Sequence, residues 1–396
     1  MAQYSLDDCK RLAYDNYPVV RQFGLIEQSR DYTVSNASKA WLPQISATGG
    51  AYFFTDVVDL GTQASSLIGD MKNEIYNIGV QINQTIYDGG SVSAQKRTAK
   101  AEADVSLEQT NVAMYELNSR IEQLYFGILT IDEQLNQSSL LMHDLSLSMN
   151  TVSGMMKGGL ANQSDVDAIS VEQIKVRQKE ESLKASRKAY LLMLSTFIGK
   201  PLDDCATLAK PEGQNIYNVE NRRPELAYYA AKDKLLDERR DALDSRLMPR
   251  LSAFGMGMYH NKLLGLMKNS LLAGGFTLSW NIGALYTRKN DLRNIEVERS
   301  MNSVQREAFL FNTDLKTKSS NGVIASLQRQ IALDDEIISL RESIRKKSET
   351  KVLNGTETVN EMLRNVNAVS EARQTKALHE LQLLQETYNL KNINNN

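Results

Sequence analysis

The chain is written twice. Asn16-Tyr17-Pro18 has a counterpart in Arg222-Arg223-Pro224, and Trp41-Leu42-Pro43-Gln44-Ile45-Ser46 has one in Leu247-Met248-Pro249-Arg250-Leu251-Ser252, both at an offset of 206. Ile82-Asn83-Gln84-Thr85-Ile86 matches Leu278-Ser279-Trp280-Asn281-Ile282, and Lys157-Gly158-Gly159 matches Leu353-Asn354-Gly355, both at an offset of 196. An offset that drops once, by ten, between Pro43 and Ile82 gives the first copy a longer loop, placed in the Gly-, Ser- and Thr-containing stretch from Leu60 to Met71. Such self-similarity restricts the fold to one assembled from two equivalent blocks.

Within each block the hydrophobic period changes. From Ile75 to Tyr87, Tyr76, Ile78, Val80, Ile82 and Ile86 alternate with Asn77, Gly79, Gln81, Asn83 and Thr85, the period of a strand. Ile45 to Phe53 alternates in the same way, as does Leu272 to Ile282 in the second copy, preceded by a weaker strand from Arg250 to His260. Each copy therefore holds one hairpin, four strands per chain.

Leu117, Ile121, Leu124, Ile128, Ile131 and Leu135 then step by four and three, the seam of a coiled coil. No proline interrupts Ser91 to Leu160, so a helix of roughly 65 residues, about 95 Å long, is allowed there. The assignment is a first repeat over 1–200 (hairpin about 43–87, long helix about 91–155, return helix about 162–198) and a linker over 201–223. A second repeat follows over 224–396 (hairpin about 250–282, long helix about 284–352, return helix about 358–391). In each copy the pre-hairpin helix and the return helix together match the length of the long one, which suits a tall wall of stacked helices better than a globule.

Charge directs few conclusions: 46 Lys+Arg against 48 Asp+Glu leaves a net charge of −2, which provides no field to recruit nucleic acid. No apolar run approaches the ~20 residues of a spanning helix, but a membrane strand needs only about ten residues with every second one apolar. No charged and apolar leader precedes Tyr4, so the sequence as written carries no signal peptide. Cys9 and Cys205 have no metal-type spacing; unconnected thiols and a bridge both remain open. His143, His260 and His379 are far apart in sequence, and no HExxH, phosphate-binding loop, nucleophile elbow or dinucleotide fingerprint occurs, so neither an enzyme nor a cofactor or metal site is expected.

Four strands cannot close a barrel, and an open sheet edge is prohibitive in lipid. If the strands face a bilayer, several chains must pool them. Trp41, Tyr52, Phe53, Tyr76, Tyr87, Tyr259 and Trp280 near strand ends fit interface girdles, or equally the core of a soluble β-sandwich.

Tyr4-Ser5-Leu6, Asn16-Tyr17-Pro18, Trp41-Leu42-Pro43-Gln44-Ile45, Gln84-Thr85-Ile86-Tyr87-Asp88-Gly89-Gly90, Arg223-Pro224-Glu225-Leu226 and Leu247-Met248-Pro249-Arg250-Leu251 are individually weak motifs. In this order, and duplicated, they resemble the TolC family of outer-membrane efflux proteins over essentially the whole chain. The resemblance implies a mainly α fold with a small membrane β-barrel contribution: a homotrimer with a twelve-stranded β-barrel in the outer membrane of a Gram-negative bacterium and an α-helical barrel in the periplasm. It implies a passive exit duct of a tripartite efflux or type I secretion system, partnered by a periplasmic adaptor (membrane fusion) protein, an inner-membrane pump of RND, ABC or MFS type, and outer-membrane lipid. The alternative is a soluble coiled-coil scaffold or adaptor protein with a strand-hairpin docking platform.

In the family, helix-to-helix turns form the periplasmic tips. Gly158, Gly159 and Leu160 in the first turn, and Asn354, Gly355 and Thr356 in the second, are then the adaptor-docking tips. Asp165 and Glu361 fall on acidic gate positions, and Arg364 stands where a second acid is common, so that an i,i+3 pair weakens the collar. Both acids also suit a helix N-terminus without any gating role. The absence of a Met or His cluster along the expected lumen argues against a dedicated copper or silver exporter.

Overall fold

The computed structural model describes residues 3–53, 74–213, 221–261 and 269–395. The proposed long loop from Leu60 to Met71 lies outside them. In chain order the elements are β1 (Gln3–Tyr4), α1 (Leu6–Asn16), α2 (Arg21–Ser38), β2 (Gln44–Phe53), β3 (Glu74–Tyr87), α3 (Ser91–Lys157) and α4 (Gln163–Ile198). Then come β4 (Thr207–Leu208), α5 (Pro224–Ser245), β5 (Arg250–His260), β6 (Ser270–Ser279), α6 (Ala284–Leu353) and α7 (Val359–Asn394). The contacts divide into two compact units that each draw on both repeats: unit 1 comprises 1–22, 109–226 and 306–396, and unit 2 comprises 23–108 and 227–305.

Unit 2 carries an antiparallel sheet in the order β2-β3-β5-β6. The two hairpins of the duplicated sequence meet through β3 and β5, with Ile82 opposite Gly255 and Val80 opposite Gly257. The ladder shifts between Thr85 and Tyr87, so Tyr87 pairs with Leu251. Strand gives way to helix at Asp88-Gly89-Gly90. Both glycines hold positive φ (67° and 84°), and the Asp88 carboxylate accepts from Val92 N (2.6 Å) and Gly90 N (2.9 Å), capping the first turn of α3. A Cβ on Gly89 would lie 2.4 Å from that of Met248, so this turn has no room for a side chain.

The duplication extends to single hydrogen bonds. Gln84 Nε2 donates to the Trp41 carbonyl (2.8 Å), and Trp280 Nε1 donates to the Leu247 carbonyl (2.9 Å). Donors and acceptors are repeat counterparts, although an amide in one copy is an indole in the other. Ion pairs between helices complete the unit: Arg97–Glu238 (2.6 Å), Lys234–Asp104 (2.9 Å) and Arg288–Asp244 (2.7 Å).

Unit 1 holds the helix-to-helix turns and a pairing with no local sequence signal. Gln3–Tyr4 pairs in parallel with Thr207–Leu208. The hydroxyl of buried Tyr125 lies 2.9 Å from the Tyr4 carbonyl and 2.7 Å from that of Ala209, so one side chain of α3 holds both short strands. Arg187 anchors the same segment, donating to the carbonyls of Asp204 (2.6 Å) and Ala206 (2.8 Å) while paired with Asp132. Glu122 is buried beside Lys10 and Asn392, and burial raises its carboxyl above the usual range. Both cysteines are free: Cys205 is exposed, and Cys9 is buried, its thiol pushed up to about 12 by desolvation.

Candidate functional site

The two turns of unit 1 are built alike. After α3, Gly159 takes φ 76°, Leu160 N donates to Met155 O (2.9 Å) and Gly159 N to Met156 O (3.0 Å). After α6, Gly355 takes φ 68°, Thr356 N donates to Lys351 O (2.9 Å) and Gly355 N to Val352 O (3.0 Å). This pair of bonds ends a helix on a left-handed residue, which glycine adopts without steric cost. Gly158, Gly159, Leu160, Asn354, Gly355 and Thr356 are all exposed.

The following helices are capped alike too. Asn162 Oδ1 accepts from Asp165 N (3.1 Å) while Asp165 Oδ2 accepts from Asn162 N (3.0 Å), a reciprocal capping box. Thr358 Oγ1 accepts from Glu361 N (3.2 Å). The Glu361 carboxylate receives Arg364 Nη1 at 3.1 Å, the two side chains being 48% and 80% exposed. Both acids thus have a local structural role at helix N-termini, and Glu361 carries its neutralising partner one turn on.

Beneath the turns, Leu145, Val152, Met155 and Ile169 from the first helical hairpin pack with Val352, Val359, Met362 and Val366 from the second. Above this apolar contact runs a polar network that the sequence reading missed. Asp144 of α3 accepts from Arg345 Nη1 of α6 (2.8 Å) and lies 3.8 Å from Arg373 Nη1 of α7, whose Nη2 donates to Glu342 (2.6 Å). Asn367 of α7 reaches Glu172 of α4 (3.2 Å), and Lys179 of α4 reaches Gln374 of α7 (3.1 Å). Apart from Arg373–Glu342, 31 positions apart, these bonds join residues 195 or more positions apart, and no local motif announces them.

In unit 2 the register sorts the sheet into two faces. One carries Ile45, Ala47, Tyr76, Ile78, Val80, Ile82, Leu272, Phe276 and Leu278; the other carries Ser46, Thr48, Asn77, Gln81, Asn83, Ser252 and Thr277. The apolar face is uncovered among the described residues, with Ile45 70%, Leu272 87%, Phe276 75% and Leu278 70% exposed. Trp41, Tyr52, Phe53, Tyr76, Tyr87, Tyr259 and Trp280 are likewise exposed, and Phe53 meets Tyr76 edge-on at 6.1 Å. Tyr52 stands with Ser46 and Thr48 on the polar face. Among the described residues, no helix is long and apolar enough to cross a membrane, and β2 and β6 each leave one edge unpaired.

Residues 11–200 match the family model described as outer membrane efflux protein. No curated protein sequence matches the chain. Among solved structures, the chain is similar to CusC, a protein studied for folding and transmembrane channel formation (12% identity, 98% of this chain and 91% of that one, TM-score 0.76). It is also similar to the outer-membrane channel OprN (13%, 98% and 89%, 0.74) and to the outer membrane protein VceC of Vibrio cholerae (11%, 98% and 95%, 0.71). The chain thus shares the fold of these solved proteins, and its residues 11–200 match the outer membrane efflux protein family.

Proposed function

We propose that three copies of this chain form a passive exit duct in the outer membrane, fed by a periplasmic adaptor and an inner-membrane pump and gated at the helix turns. The observation that carries this reading is the four-stranded sheet of unit 2. Its bare apolar face fits hydrocarbon, its polar face fits water, and its two open edges, intolerable in lipid, are satisfied when β6 of one copy pairs with β2 of the next. Three copies supply twelve strands and leave a lumen, whereas two would supply eight, filled by their own side chains. The soluble-scaffold alternative leaves the apolar face in water and is not favoured.

In this reading the helices lie in the periplasm of a Gram-negative cell. Gly158, Gly159, Leu160, Asn354, Gly355 and Thr356 meet the adaptor, and Asp165 and Glu361 ring the entrance with Arg364 moderating the charge. The Asp144–Arg345–Arg373–Glu342 network holds the second helical hairpin against the first and keeps the entrance narrow. The test is oligomeric mass with and without detergent, followed by planar-bilayer recordings. A detergent-dependent trimer that conducts ions agrees with the proposal; a monodisperse soluble particle without conductance overturns it.

A further inference from the structure

The register leaves the polar face of the sheet with a single Lys, Arg, Asp or Glu among the described strand residues. It is Arg250, at the start of β5, opposite Ser279 and two positions before Ser252. Glu74, the other such residue of the four strands, stands opposite Phe53 on the apolar side. Arg250 is exposed, and its guanidinium reaches Ser91 Oγ at 3.4 Å but no carboxylate among the described residues.

Arg250 lines a cavity of about 660 Å³ at the foot of the β5–β6 hairpin, between the end of α5 and the start of α6. That volume lies in the range of small-molecule sites. Arg246 lines it as well, again without a carboxylate partner among the described residues, and so does Arg288, which Asp244 holds at 2.7 Å. Asp291 is the one acid of the lining. With Arg288 neutralised, two unpaired guanidiniums stand against one carboxylate, an excess of one positive charge per copy.

The duplication shows that the fold does not require this charge. At the offset of 206 the counterparts of Arg246 and Arg250 are Ala40 and Gln44, and at the offset of 196 the counterpart of Asp291 is Gln95. Gln44 donates to the carbonyls of Lys39 and Leu42 and so closes its own turn, whereas Arg250 is left to the cavity. A guanidinium without a carboxylate is a strong donor to phosphate and other oxyanions. We propose that Arg246 and Arg250 make this cavity a subsite for a transported solute bearing an oxyanion group: phosphate, sulfonate or carboxylate. Its place on the transport path rests on reading the polar face as the lumen of the duct; attraction of anions to the cavity does not.

The chain's two tryptophans are Trp41 and Trp280, and Trp280 lines the cavity, so Trp41→Phe in every protein makes Trp280 the sole reporter. In the detergent-purified full chain, quenching by iodide relative to neutral acrylamide is expected to fall about twofold in Arg250→Gln, the effect of one charge roughly 8 Å away in water, and to rise in Asp291→Asn. At constant ionic strength, pyrophosphate is expected to protect Trp280 from iodide saturably in the parent and not in Arg246→Ala/Arg250→Gln, which installs the repeat counterparts. Equal iodide-to-acrylamide ratios in parent and Arg250→Gln, no protection in the parent, or protection that persists in the double variant each overturn the proposal. In planar bilayers of neutral lipid, Arg250→Gln is expected to move the reversal potential in a KCl gradient toward cations. An unmoved reversal potential with the quenching difference intact assigns the cavity to lipid headgroups and overturns its place on the transport path. No conductance at all, with the quenching difference intact, removes the duct reading and leaves the oxyanion site standing.

Discussion

Arg345 Nη1 donates to Asp144 Oδ2 at 2.8 Å, tying the long helix of the second repeat to that of the first. Both side chains are less than one-fifth exposed, so the pair is less screened than a surface bridge, and Arg345 also lies 3.3 Å from Glu349. Arg373 approaches the same carboxylate while gripping Glu342, so one acid of the first repeat is addressed by two arginines of the second.

Asp144→Asn is expected to raise single-channel conductance several-fold, by releasing the α6–α7 hairpin from α3, with the trimer intact. The charge-assisted bond it removes is worth about 1–3 kcal/mol. Recordings from parent and variant in the same bilayer check this; unchanged conductance would remove the network from the gate.

Acid is expected to act through Glu342. Its carboxyl is held below the usual range, first by the hydrogen bond from Arg373, against a smaller opposing effect of desolvation. A group whose folded pKa is depressed contributes stability above its unfolded pKa and loses it as the pH falls through the folded value. Conductance is therefore expected to rise as the pH drops below about 4, the unperturbed range of a glutamate, and Glu342→Gln to open the channel already at neutral pH with a flatter acid response. Recordings at several pH values discriminate; a parent and variant with the same pH profile would refute this.

Divalent block separates the collar from a mere capping role. Arg364 occupies Glu361 at 3.1 Å, and Asp165 already accepts from Asn162 N. Arg364→Ala is expected to increase block by Mg²⁺ or Co²⁺ several-fold, and Glu361→Gln to reduce it. If both variants are blocked like the parent, Glu361 is a cap residue alone.

The positive-φ glycines are not equivalent. Gly159→Ala and Gly355→Ala meet no neighbour within 4 Å and pay only for the left-handed backbone, about 1–2 kcal/mol each. Gly89→Ala adds the collision with Met248 Cβ at 2.4 Å and is expected to cost about 1–3 kcal/mol more. Thermal unfolding of the detergent-solubilised variants gives the order directly, and a Gly89→Ala protein as stable as Gly159→Ala would contradict the strand-to-helix turn described here.

Three of the four long strands were legible because they alternate apolar and polar residues, the strand from Arg250 to His260 only weakly so, and the seam from Leu117 to Leu135 was legible because coiled-coil packing repeats at short range. The helix turns were legible because only glycine holds Gly159 and Gly355 at positive φ without strain, leaving a mark at one position in each copy. Such features depend on residues within one element, so the sequence by itself determined the duplication and the strand-and-helix alternation, while the fold class came from the resemblance that the ordered motifs carry.

Tertiary structure alone decided the pairing of Gln3–Tyr4 with Thr207–Leu208, the convergence of Arg345 and Arg373 on Asp144, and the assignment of Met256, Met258 and His260 to the polar face. A two-residue strand has no period to read. An ion pair between helices depends on rotations fixed by the buried contact of Leu145, Val152 and Val352, not by the charged residues themselves. The face of a weakly alternating strand is set by its neighbours' register, since a slip of one residue would turn every side chain of β5 to the other side.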